Sequence, residues 1–206
     1  MKTTKLLVYA VALAAAFAAA KAKGQNISAT LIGIDPGIAV TGTIDNGSFS
    51  QAYPSGISKF TEFDAFCIEP TQGLSYGETL VYQIQNPLSL TNTDIISRLV
   101  SGYLASSQTA QDAAAVQWAI WEITTEVLSA YSLSDGNVRI NPTFNQDTIT
   151  LANQYLAQAP NYTPANVTFL TNPERQDVVT WETIPEPASA GLIALSGLLL
   201  FRRRRR

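Results

Sequence analysis

From Ile27 the chain alternates apolar or β-branched residues with small and polar ones, the two-residue period of a half-buried strand. Ile27 to Ile34 and Ile38 to Ile44 read as strands, bounded by the turn-forming runs Asp35-Pro36-Gly37 and Asp45-Asn46-Gly47-Ser48. Asn46-Gly47 suits the tip of a hairpin whose second arm includes Ser48 to Ala52. Phe60 to Ile68 and Thr79 to Ile84 are further strand candidates. The period then lengthens. Asp94 to Ala105 carries Ile95, Ile96, Leu99, Val100, Tyr103 and Leu104 at helical spacing, with Asn92 or Thr93 as cap. Gln111 to Leu128, opened near Thr109, predicts a second helix, and Asp147 to Ala159, closed by Pro160, a third. Val167 to Thr171 and Val178 to Ile184 return to strand character. The pattern predicts an α+β fold: a β-sandwich or barrel with an inserted three-helix subdomain.

Both ends depart from this pattern. Lys2 and Lys5 precede an uninterrupted apolar run from Leu6 to Ala20, ending in Ala18-Ala19-Ala20. A basic start, an apolar centre and a small-residue cleavage site describe an export signal, here residues 1–22. At the other end Pro185, Glu186 and Pro187 precede an apolar stretch, residues 188–201, and then Arg202 to Arg206. Fourteen helical residues span about 21 Å. That is short for a bilayer core of roughly 30 Å, but terminal arginines can snorkel. A C-terminal transmembrane helix is therefore expected, with its arginines on the cytoplasmic side. Pro-Glu-Pro, short apolar helix and arginine cluster together resemble the PEP-CTERM sorting tail of exported bacterial proteins. That resemblance implies processing by an exosortase-type enzyme, at least transient membrane anchoring through residues 188–201, and delivery to the cell surface or extracellular matrix. Residues 23–184 are then the extracellular domain and 185–206 the sorting segment.

Charge and composition narrow the chemistry. The chain has 206 residues, no histidine and one cysteine, Cys67. Internal disulfides, Cys/His metal sites and Ser-His or Cys-His catalysis are thereby excluded, and no metal or cofactor is expected. Between residues 24 and 184, Lys59, Arg98, Arg139 and Arg175 face fifteen acids. A surface so poor in bases is unsuited to nucleic acid. A carboxylate pair such as Asp64 with Glu69 is poorly placed for hydrolysis, because residues five apart on a strand point to opposite faces.

The one informative pair is Cys67 with Gln117. In a strand, Phe66 and Ile68 point away from Cys67. On the second helix Gln117 interrupts an apolar stripe of Ala113, Ala114, Ile120, Trp121 and Thr124. A buried primary amide without partners costs roughly 2–7 kcal/mol. Either a backbone group satisfies it, or the amide has been consumed by the Cys67 thiolate, leaving an internal thioester and free ammonia. Phe66, Trp118 and Trp121 supply bulk that would shield such a bond from water. Glu69, Glu122 and Tyr76 are candidates to assist proton transfer.

The strings Phe66-Cys67-Ile68-Glu69 and Val116-Gln117-Trp118-Ala119-Ile120-Trp121 resemble the two signature motifs of the thioester domains on bacterial surface adhesins, in the same Cys-before-Gln order. The resemblance implies a Cys67–Gln117 thioester that captures a target once, by acyl transfer to an amine or hydroxyl of a surface protein or polysaccharide, without enzymatic turnover. The competing expectation is a non-covalent exopolysaccharide- or matrix-associated β-sandwich, using exposed rings such as Tyr53, Tyr76, Tyr82 and Tyr162, with Cys67 a core residue.

Overall fold

The computed structural model describes residues 26–44, 51–85, 92–126 and 131–182. The export signal, the Asn46-Gly47 tip, Leu128, Ile184, Pro185-Glu186-Pro187, the apolar stretch 188–201 and the arginine run lie outside them. Among the described residues no helix is long and apolar enough to cross a membrane.

Strand β1 (Asn26–Thr43) carries the architecture. Asn26 to Thr30 pair with β4 (Thr79–Gln85), whereas Leu31 to Gly42 pair with β2 (Gln51–Phe60). The two strands expected on either side of Asp35-Pro36-Gly37 are thus one. Those residues form an irregularity within β1, with a cis Asp35–Pro36 bond, because both flanks keep pairing with β2. Gly37 stands opposite Gly56, and the backbones approach so closely that a Cβ on Gly56 would lie 2.3 Å from the Pro36 carbonyl oxygen. Two facing glycines let the chain cross this point without turning back.

Strand β3 (Asp64–Cys67) also serves two neighbours. Asp64 and Ala65 pair with β2, and Phe66 and Cys67 pair with β7 (Val178–Thr180). With β6 (Thr168–Thr171) between β7 and β4, the antiparallel order is β2-β3-β7-β6-β4-β1-β5, and β2 returns to β1. Six strands therefore form a circuit, and the two-residue β5 (Arg139–Ile140) is appended to the end of β1. The fold is α+β, with a seven-stranded antiparallel sheet and three helices among the described residues.

The helices follow β4 in sequence: α1 (Thr93–Ala105), α2 (Ala110–Thr125) and α3 (Pro142–Gln158). Asn92 caps α1 in left-handed backbone, but its side chain instead donates to the Ile123 carbonyl and the Tyr131 hydroxyl. Helix α2 opens with a full capping box: Thr109 accepts from the Asp112 amide, and the Asp112 carboxylate accepts from the Thr109 amide. Its burial is not a single stripe. Every residue from Ala113 to Ile123 is buried, because α1, α3, β1, β2 and β3 all pack on it. Ala113, Ala114, Ala115 and Ala119 allow that close approach. Helix α3 begins five residues before the expected Asp147. Pro142 occupies its first turn, Asn141 caps the Thr143 amide, and the helix kinks at Asn145. The Asn145 side chain accepts from the Thr41 amide at 2.8 Å, which ties the kink to β1.

Candidate functional site

Cys67 ends β3 at the point where the chain has left β2 for β7, and Gln117 lies midway along α2. The fold brings them together. The Cys67 amide donates to Gln117 Oε1 at 3.0 Å, and Gln117 Nε2 donates to the Cys67 carbonyl at 2.7 Å. A single carboxamide thus grips both backbone polar groups of the cysteine. Gln117 is 1% exposed and Cys67 6%, so these bonds are shielded from water. They meet the need of the buried amide with a strand-end backbone that has no other use for those groups.

As the single cysteine of the chain, Cys67 has no disulfide partner, and it is buried. Ser58 Oγ stands 3.3 Å from its Sγ. Burial pushes the thiol up to about 12, and the Ser58 hydrogen bond opposes that rise only partly. A thiol in such surroundings stays protonated at neutral pH. Ser58 was not foreseeable from its neighbours in sequence. It faces Ala65 across the β2–β3 pair, which makes Cys67 its diagonal neighbour, and only the register reveals that.

A cleft of about 340 Å³ opens on this pair and is lined by Cys67, Gln117 and Ser58. Tyr53 and Trp121 form an aromatic corner in its wall, with ring centroids 6.3 Å apart, and Tyr76, 63% exposed, stands in the loop at its mouth. Trp121 is only 5% exposed, yet its Nε1 has no hydrogen-bond partner among the described residues. Among the described residues that line the cleft there is no carboxylate, lysine or arginine.

The three aromatic residues expected to shield the pair are divided. Trp121 lines the cleft. Trp118 lies behind it at 5.4 Å, fully buried, and donates from Nε1 to Ser55 Oγ at 2.8 Å. Gly42 leaves it room, since a Cβ there would come within 2.6 Å of the indole. Phe66 packs on Tyr103 and Trp181, at 5.3 and 5.4 Å, and does not line the cleft. This follows from strand alternation: β3 is buried on both faces, and its phenylalanine and cysteine serve different ones.

The candidate proton-transfer groups are likewise separated. Only Tyr76 borders the cleft. Glu122 is buried and accepts from the Ser132 amide at 2.8 Å, and Glu69 does not line the cleft. Asp64 is ion-paired with Lys59. Of the rings considered for non-covalent binding, Tyr82 is fully buried against Phe60 and Phe63, and Tyr162 covers Gly102. No protein-family model, no curated protein and no solved structure matches the chain.

Proposed function

We propose that this chain is an exported surface protein whose domain stores an internal Cys67–Gln117 thioester and uses it once, to capture a target covalently. The observation that carries this reading is the two-point contact between the Gln117 carboxamide and the Cys67 backbone beside an open cleft. In bond formation the sulfur attacks the Gln117 side-chain carbon, the carbon–nitrogen bond breaks, and ammonia departs with the thiol proton. The Cys67 amide, already on Oε1, is placed to stabilise the oxyanion that develops there. Holding the two groups together contributes up to about 7–11 kcal/mol toward the barrier. An amine or hydroxyl of the target then attacks the same carbon, and Cys67 leaves as a thiol. Nothing regenerates the bond, so the protein does not turn over. The signal at residues 1–22 and the Pro185-Glu186-Pro187 tail support export, exosortase-type processing and a surface or matrix location.

Intact-mass spectrometry tests the reading. The expected protein is lighter by one ammonia, gains one methylamine on incubation with that amine, and loses both properties in Cys67→Ala and in Gln117→Ala. A full-mass protein that ignores methylamine and carries an alkylatable thiol overturns it. That outcome would favour the second reading, a non-covalent matrix protein, which draws support from the donated and accepted bonds of the Gln117 amide to the Cys67 backbone.

A further inference from the structure

We propose that the acceptor is an amino sugar of a surface glycan, whose weakly basic amine enters the cleft uncharged. This rests on the thioester reading and specifies its target. The first argument concerns protons. Only a neutral amine has the lone pair needed to attack the Gln117 carbon. A lysine amine, with a pKa near 10.4, is neutral in roughly one molecule per thousand at pH 7.4. It would need a base at the site, or a carboxylate to receive its cation. The described residues lining the cleft offer neither, and the chain has no histidine. Burying an unpaired ammonium there would be costly. An amine on a carbon flanked by electronegative groups titrates nearer the α-amino range, about 7.7–8.0, and supplies a substantial neutral fraction without help.

The second argument concerns the walls. Tyr53 and Tyr76 give apolar faces for a pyranose ring, and Gln51 and Gln72 give amide donors and acceptors for its hydroxyls. Uncharged amides beside rings match a polyhydroxylated ligand better than a flexible alkyl cation. Around the cleft, the acid-rich body between residues 24 and 184 attracts a partly protonated aminoglycan as a whole. In the transfer itself, the sugar nitrogen bonds to the Gln117 carbon, the carbon–sulfur bond breaks, and the proton lost by nitrogen ends on Cys67 Sγ, beside Ser58. The products are an amide and a thiol.

The test compares acceptors on the full chain by intact mass at pH 7.4: methylamine, glucosamine, N-acetylglucosamine, glycinamide and an Nα-acetyl-lysine amide, at equal total amine. Glucosamine is expected to label at least tenfold faster than the lysine analogue and severalfold faster than glycinamide, a non-sugar amine of similar basicity. N-acetylglucosamine, whose nitrogen is no longer an amine, should give no amide adduct. Tyr53→Ala and, in case that variant misfolds, the surface substitution Tyr76→Ala should bring the glucosamine-to-glycinamide ratio toward one. Lysine labelling as fast as glucosamine overturns the proposal and points to protein side chains. Glycinamide matching glucosamine overturns it too, and points to protein amino termini. Either result leaves the thioester standing if methylamine still adds, whereas a full-mass protein inert to methylamine removes both.

Discussion

Glu122 offers a prediction whose size follows from its surroundings. Its side chain lies one turn beyond Trp118 on α2, 0% exposed, with Oε1 accepting from the Ser132 amide and Oε2 without a partner among the described residues. Burial pushes its carboxyl up to about 7; the Ser132 bond opposes this, and the nearby charges of Glu126 and Asp135 add to it. In the unfolded chain the same group titrates near 4.3. Between these values the folded protein holds a proton that the unfolded chain has lost. The associated stability is fully present below about pH 4.3 and disappears as pH rises through 7. At 1.36 kcal/mol per unit the full effect is about 4 kcal/mol, an upper bound. Glu122→Gln keeps an oxygen for Ser132 and stays neutral throughout. Urea unfolding of both proteins at pH 5 and pH 8 measures the difference. Similar stabilities are expected at pH 5, with the variant ahead by about 1–3 kcal/mol at pH 8. Parallel pH profiles would refute the claim that burial of this carboxylate opposes its ionisation.

Two further substitutions probe the frame around the cleft. Gly56→Ala puts a Cβ at φ +150° within 2.3 Å of the Pro36 carbonyl oxygen and 2.5 Å of Gly37 Cα, both backbone atoms that cannot swing aside. Thermal and urea unfolding should show a loss of at least about 3 kcal/mol. Trp118→Phe removes the donor to Ser55 Oγ and part of the volume behind Trp121. A loss of about 2–3 kcal/mol is expected by the same measurement, and no measurable change would mean that the Trp118–Ser55 contact is dispensable.

How far the residues announce this arrangement depends on the range of the interaction. The helices were legible because their signals are local: Thr109 with Asp112 is a capping box three residues apart, and Pro160 follows the end of the third. The continuity of β1 was not, since Asp35-Pro36-Gly37 has turn composition and only the facing Gly56, nineteen residues after Gly37, keeps it extended. Cys67 and Gln117 were legible as chemical oddities, a single cysteine and an amide among apolar residues. Their means of contact, through the cysteine backbone, depends on where β3 leaves β2. Ser58 and Tyr53 enter from β2 by register, which no local string encodes. Trp118 and Trp121 share a motif but not a task, because a helix buried all round sends residues three apart to different depths.

The circuit of strands has a consequence for how copies of the chain can meet. Within the described residues, β1, β2, β3, β4, β6 and β7 each pair with at least two other strands, and β5 ends the order with only two residues. A bare strand border is a place where one copy can graft onto the next. Closing six strands on one another therefore leaves the two-residue β5 as the one described strand with a single neighbour.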